Sequence, residues 1–441
     1  MVAIHILSSQ LVRPAATSST EPQTAAKTRV IESCNLDLVI LNVYIKTVYF
    51  YAPMSSPDPD FFCPGLLARS LSQALATFYP MAGRLARGGA RSIDIVCNDA
   101  GALLVYARAD CSLQELGPLK PKPEFVSLVP SLDAFPDEAS QPLFIVQVTR
   151  FACGGVALGI GVEHHVADGL SAISFINAWG ALARGELVEV SPSFDKEWLK
   201  ARTPPMPMFP HYEYISLPPK PAQSSPRPLP SIQVFEFSKN FIQELKKKNL
   251  SPNSKPFTTY ELLAAHIWRC VCEARNLASN EKTMLVTLVD GRSRIINPSS
   301  PDNFFGNVIF TSCPSEYVEK VVDCTLGQTS SIIRQALHGV DDTYCRSAID
   351  FLEVEQDPSK FIKGAHTFAS PNLGLISWCQ LPIYDTDFGW GKPYYVGPAF
   401  MPWEGHAYLL KSPSTVGAFR LFISLASDHM PRFGELILKP S

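Results

Sequence analysis

Ala157-Leu158-Gly159-Ile160-Gly161-Val162 runs through Glu163 into His164-His165-Val166-Ala167-Asp168-Gly169, and after that point the pattern changes period. Leu158, Ile160 and Val162 alternate with the small residues Ala157, Gly159 and Gly161. A period of two reads as a β-strand, here with one face made for close approach. Beyond Gly169, the residues Leu170, Ile173, Ile176, Trp179 and Leu182 recur in three-residue steps, which predicts a buried helix stripe. The two histidines therefore fall in a strand-to-helix turn, where a rigid scaffold can present chemistry.

With 46% hydrophobic and 18% charged residues over 441 positions, the chain is globular and long enough for two or three domains. Its 38 basic and 41 acidic side chains leave a formal charge of -3, so there is no general field for nucleic acid or anionic membranes. Residues 1–11 lack a basic flank followed by an apolar run, and no stretch approaches the roughly 20 apolar residues that span a bilayer. A cytoplasmic protein without membrane insertion is expected. Eleven cysteines, an odd number without a CxxC pair, point to reduced thiols rather than a disulfide framework or zinc cage, and no metal is expected. Cys270 and Cys272 read as packing residues.

Prolines crowd the stretch from Pro192 to Pro230. Because proline removes amide donors and fixes φ, residues 189–231 are predicted to form an extended crossover between an N-terminal domain, 1–188, and a C-terminal domain, 232–441. The first half alternates strand-like runs at 47–51, 93–97, 143–151 and 156–162 with a helix at 65–78. In the second half, helices are expected at 239–247 and 258–274 and strands at 284–289, 375–380 and 418–425. This interleaving predicts an α/β fold of two domains with mixed sheets.

A second signal lies far downstream in Asp387-Phe388-Gly389-Trp390-Gly391, after Ser377-Trp378 and before Lys392-Pro393. Two glycines around a tryptophan describe a tight loop that approaches something closely. In combination with the histidine motif, this loop resembles the DFGWG segment of the BAHD family of plant CoA-dependent acyltransferases. The resemblance extends over the chain through Arg13-Pro14-Ala15, Tyr49-Phe50-Tyr51, Tyr79-Pro80-Met81-Ala82-Gly83-Arg84, Thr259-Tyr260-Glu261, His266-Ile267-Trp268-Arg269-Cys270, Asp290-Gly291-Arg292-Ser293-Arg294, Phe305-Gly306-Asn307 and Gly364-Ala365-His366-Thr367-Phe368. It is nearest the hydroxycinnamoyl-CoA shikimate/quinate hydroxycinnamoyltransferase branch. What it implies is a pair of chloramphenicol-acetyltransferase-like domains with a channel between them, a CoA thioester and a small acceptor as substrates, no tightly bound cofactor, and a monomer.

Acyl transfer from a thioester to a hydroxyl requires removal of the alcohol proton, a task suited to a neutral imidazole whose ordinary pKa is about 6.5. The resemblance implies His164 as that base. His165 cannot readily serve the same proton and is read as a packing or surface residue. Asp168 could orient His164 as a triad acid would; the family implies instead a pairing with an arginine, for which Arg294 is the candidate. Trp378, which core packing alone would also explain, is implied as the N–H donor to the oxyanion of the tetrahedral intermediate. Asp387, Gly389, Trp390 and Gly391 are expected to shape the channel, with Asp387 in a structural ion pair. Lys255, Thr258, Thr259 and Arg292 lie in segments that resemble the family's CoA-contacting region.

The acceptor positions depart from the branch pattern. Lys363 stands where an arginine is usual, retaining charge without the bidentate fork. Ile376 and Ile45 stand where threonines are usual, while Thr47 and Tyr49 fit. Hydrocarbon in place of hydroxyl leaves polyol groups unpaired, at about 1–3 kcal/mol for each buried group. An aromatic hydroxy acid acylated by p-coumaroyl or caffeoyl, as in a rosmarinate-like ester, is the expectation; shikimate, quinate or an amine is the alternative. A metal hydrolase is a rival class, since His164, His165 and Asp168 are all possible ligands, but zinc helices prefer histidines four apart. A serine hydrolase lacks its GxSxG elbow. A catalytically inactive CoA-thioester-binding protein is the non-enzymatic rival.

Overall fold

The computed structural model describes residues 3–16, 29–56, 58–89, 91–188, 191–215, 230–250, 255–361 and 367–440. The chain forms two compact units: Met1–Lys200 with Ser300–Asn307 and Leu381–Phe400, and Ala201–Ser299 with Val308–Gln380 and Met401–Ser441.

In the first unit, strands β1 (Ile4–Val12), β3 (Tyr44–Tyr51), β6 (Ala102–Ala109), β7 (Phe144–Arg150), β8 (Val156–Glu163) and β14 (Tyr395–Pro398) form a sheet in the order β1-β6-β7-β8-β3-β14. Only β6 and β7 run parallel, so the sheet is mixed. Strands β2 (Arg29–Ile31), β4 (Arg84–Gly89) and β5 (Ser92–Cys97) make a smaller antiparallel sheet. Gly159 on β8 meets the expectation of close approach: a Cβ there would stand 1.9 Å from the Leu128 carbonyl oxygen. Helices α1 (Pro64–Thr77) and α2 (Gly169–Ala183) pack together, and the Trp179 indole N–H donates to Ser70 Oγ at 3.0 Å and to the Leu67 carbonyl at 3.2 Å. A large ring is thereby buried with its polar atom satisfied.

The α2 stripe departs from its prediction. Ile173, Ile176 and Trp179 are buried, whereas Leu170 is exposed and Leu182 only half-buried. A step of three residues falls about 60° short of a full turn, so four such steps rotate the stripe about 240° and its two ends leave the core face.

The second unit carries β9 (Ser231–Phe237), β10 (Lys282–Asp290), β11 (Ile309–Ser312), β12 (Ser315–Tyr317), β13 (Leu373–Ser377), β15 (His406–Lys411) and β16 (Phe419–Leu425). Their order is β11-β10-β13-β15-β16-β9, with β12 also on β10 and with β10, β13 and β15 parallel to one another. Helices α3 (Lys239–Lys248), α4 (Thr259–Ala274), α5 (Val318–Val322), α6 (Leu326–Gly339), α7 (Asp342–Val354) and α8 (Met430–Ile437) complete it. Leu263, Ile267 and Trp268 of α4 share one buried cluster with Leu375, Leu409, Leu421 and Ile423 of the sheet. No helix among the described residues is long and apolar enough to cross a membrane.

A division of the chain into continuous halves is corrected by the pairing of β14 with β3 and by the packing of 300–307 in the first unit. Strand partners are chosen by sheet geometry, not by nearness in sequence. Within the proline-rich stretch, the described residues make two short 3-10 turns, Glu197–Leu199 and Tyr212–Tyr214, and the isolated bridges Ser193↔Phe304 and Ile215↔Phe361.

Candidate active site

The turn after β8 is held by main-chain and side-chain bonds that separate the roles of its two histidines. His164 N donates to the Val43 carbonyl at 3.1 Å, keeping the turn beside the start of β3. Asp168 caps α2, its Oδ1 accepting from Ser171 N at 3.0 Å, as a short acidic side chain does at a helix start. His165 is buried, and the Glu163 carboxylate takes both its Nδ1 at 2.8 Å and its main-chain N at 2.7 Å. His164 is half-buried and outside that pair. Burial pushes its imidazole below the ordinary value, while its own carbonyl and the charges of Glu163 and Asp168 act the other way. The result is a neutral imidazole at neutral pH, able to accept a proton.

Asn307 fastens this turn from below. Its Nδ2 donates to the His164 carbonyl at 2.9 Å and to the His165 carbonyl at 3.0 Å, with Asp37 Oδ1 at 3.4 Å. Asp37 Oδ2 is fixed in turn by Lys196 Nζ at 2.7 Å and by Cys34 N at 2.8 Å. Gly306 N donates to Ser171 Oγ at 3.1 Å, which seats the 305–307 segment on the first turn of α2. Asn307→Ala strips the donor from two carbonyls, at about 1–3 kcal/mol for each group left buried and unpaired. The expected outcome is a lower urea midpoint together with a kcat reduced at least tenfold and a nearly unchanged KM. An unchanged kcat would reduce the clamp to a stability device.

In the second unit, β13 ends at Ser377, shorter than the predicted strand, and Trp378 is the first residue beyond it. Trp378 N still donates to the Leu409 carbonyl at 2.9 Å, and its ring lies 4.5 Å from that of Tyr408 at 49°. Among the described residues its indole N–H has no hydrogen-bond partner, so the donor is available. Ile376 faces Tyr408 in register on β15.

The Asp387–Gly391 loop belongs to the first unit and holds itself together. Asp387 Oδ1 accepts from Gly389 N at 2.8 Å and Gly391 N at 3.0 Å, so the expected ion pair of Asp387 is corrected to an amide cradle, and Arg184 reaches the Asp387 carbonyl rather than its carboxylate. That turn needs glycine at both positions, with φ of +106° and +94°. Phe388 is buried 4.7 Å from the Trp179 ring, and Trp390 Nε1 donates to Asp58 Oδ2 at 2.9 Å. Phe388→Ala should cost about 3–5 kcal/mol of stability, read as a lower urea midpoint.

A family model described as the Transferase family matches residues 3–437. The chain belongs to the BAHD transferase family. It is an acyl-CoA-dependent acyltransferase. Among BAHD relatives, a shikimate O-hydroxycinnamoyltransferase of Nicotiana tabacum is 40% identical, covering 98% of this chain and 99% of its own. A rosmarinate synthase of Plectranthus scutellarioides is 42% identical over 91% of this chain and 93% of its own. The crystal structure of vinorine synthase superposes with a TM-score of 0.72 at 28% identity, covering 100% of this chain and 99% of that one.

Ile45, Thr47 and Tyr49 alternate on β3 and share one face beside β8, paired with Val162, Ile160 and Leu158. Tyr49 is fully buried, which pushes its phenol up, and its hydroxyl has no partner in hydrogen-bond geometry among the described residues. Lys363 lies outside the described residues. Thr258 is committed as the α4 cap: its Oγ1 accepts from Glu261 N at 3.2 Å and its own N donates to Glu261 Oε2 at 2.7 Å. A carboxylate therefore already occupies this helix start. Thr259 is half-buried and Lys255 exposed, with the Lys255 carbonyl bound by Arg334 Nη1 at 2.7 Å. Arg292 Nη1 meets Asp290 Oδ1 at 2.9 Å, and Arg294 Nη1 donates to the carbonyls of Leu337 and Val340 at 3.2 and 3.0 Å. Sequence reasoning missed the roles of Glu163, Asn307, Lys196 and Arg334. The capping box Thr258-x-x-Glu261 was visible in the sequence, and so was Asn307 in its FGN triplet, though not its target.

Proposed function

We propose that this BAHD enzyme transfers a hydroxycinnamoyl group from CoA to the hydroxyl of a small aromatic hydroxy acid. The observation that carries the chemistry is the half-buried, neutral His164 beside a neighbour locked to Glu163. His164 takes the acceptor's hydroxyl proton as that oxygen attacks the thioester carbonyl. The tetrahedral oxyanion accepts the N–H of Trp378, then collapses to the ester, and the departing CoA thiolate recovers the proton from the imidazolium. Asp168 steadies the loop by capping α2, and Lys255, Thr259 and Arg292 are candidates for CoA contacts.

The acceptor follows from hydrocarbon at Ile45 and Ile376, which offers nothing to polyol hydroxyls, and from the cation of Lys363 for a carboxylate. The named activity of the rosmarinate synthase relative agrees with this choice, and that of the tobacco relative supports shikimate as the alternative. Purified protein is incubated with p-coumaroyl-CoA and a pool of 4-hydroxyphenyllactate, shikimate, quinate, tyramine and spermidine, and products are identified by mass. The coumaroyl ester of the aromatic acid should dominate. A shikimate ester formed equally well or better would overturn the acceptor while keeping the class, and CoA-thioester binding without any product would overturn both.

A further inference from the structure

On β13 and β15 the register pairs Gly374 with His406 and Ile376 with Tyr408. Leu373, Leu375, Ala407 and Leu409 alternate with these and enter the α4 core, so His406 and Tyr408 stand on the opposite sheet face together with Ile376. Aromatic rings follow one another along that face. Trp378 lies 4.5 Å from Tyr408, Tyr408 lies 4.7 Å from His406, and Phe368 stacks on His406 at 5.0 Å and 12°. The stack is built in: a Cβ on Gly374 would come within 2.4 Å of the Phe368 ring. Trp403, 5.8 Å away, flanks the same imidazole.

His406 is only 5% exposed, and neither ring nitrogen has a hydrogen-bond partner among the described residues. Burial pulls its pKa down to about 4, so at neutral pH the ring offers one N–H donor and one acceptor. A ring needed only for packing would be served by phenylalanine, without two buried polar atoms to satisfy. With Phe368 on one face of the imidazole, a partner must arrive in the ring plane, at its edge.

We propose that His406 is a specificity-determining residue that hydrogen-bonds a phenolic hydroxyl on a substrate ring lying along Tyr408 away from Trp378. This rests on the reading of Trp378 as the donor at the reacting carbonyl. Two sources share the chemistry: the 4-hydroxyl of the hydroxycinnamoyl donor and the ring hydroxyl of an aromatic acceptor. Wild type, His406→Phe, which keeps the stack without the nitrogens, and His406→Gln, which keeps hydrogen-bonding capacity, are compared on p-coumaroyl-CoA against cinnamoyl-CoA and on 4-hydroxyphenyllactate against phenyllactate. Both kcat/KM and the Kd of each ligand, from quenching of tryptophan fluorescence, are measured, so binding is read even where turnover fails.

Wild type should favour the hydroxylated member of one pair by about ten- to a hundredfold. His406→Phe should bring that ratio close to one, with partial recovery in His406→Gln. Collapse in the thioester pair assigns the donor, and collapse in the acid pair assigns the acceptor. If wild type shows no preference in either pair, or if His406→Phe weakens hydroxylated and deoxy ligands alike, the proposal is overturned. Best turnover of shikimate would sink the aromatic-acid reading, while the thioester pair would still decide the role of His406.

Discussion

His164→Ala is expected to lower kcat by about 10²- to 10⁴-fold while the urea midpoint of unfolding stays near that of wild type. The separation follows from how the turn is built. Asn307 holds His164 and His165 through main-chain carbonyls, and the side-chain pairing in the turn is that of Glu163 with His165. Removing the His164 ring therefore leaves the clamp intact. The pH profile adds an independent check. The active form is the neutral imidazole, and burial lowers its pKa, so kcat/KM should hold steady on going below the ordinary histidine value of about 6.5 and fall only once the pH passes the lowered pKa. Wild-type kcat in His164→Ala, or an acid limb centred above 6.5, would end the assignment of the base.

Trp378→Phe should reduce kcat by about 10²- to 10³-fold with little change in KM. Phenylalanine keeps a ring against Tyr408 and removes only the N–H, whose lack of a partner among the described residues is what makes it available to a developing charge. Because that charge exists only after attack on the thioester carbonyl, the loss belongs to the transition state and not to substrate binding. Near wild-type kcat in this variant would return Trp378 to ordinary packing, which an aromatic beside a strand always has as its simpler explanation.

Much of the fold was legible because its elements carry their own periodicity and boundaries. The predicted strand at 156–162 is β8 to within one residue, and the helices at 65–78 and 239–247 match α1 and α3 equally well. What was not legible is long-range choice. Nothing local in Tyr395–Pro398 says that it will pair with β3, hundreds of positions earlier, and the boundary drawn through the proline-rich stretch missed that exchange. The site divides in the same way. His164 stands out because histidine, aspartate and glycine at that spacing have few structural uses together, whereas Asn307 acts by donating to two carbonyls, a role with no pattern in the sequence around it. Thr258 has a local role that the sequence already carried: with Glu261 three residues on, it forms the capping box that starts α4.

The strand that closes the first sheet has a bearing on how the protein is made. Chains emerge from the ribosome at about 5–20 residues per second, so β3 is synthesised long before β14 exists to cover it. Until Tyr395–Pro398 appears, β3 is an open edge bearing Ile45 and Tyr49, ready to pair with whatever strand comes first. The amino-terminal unit is thus not an autonomous folding module that could be cut out at the prolines. It is finished by a strand made hundreds of residues after the one it covers.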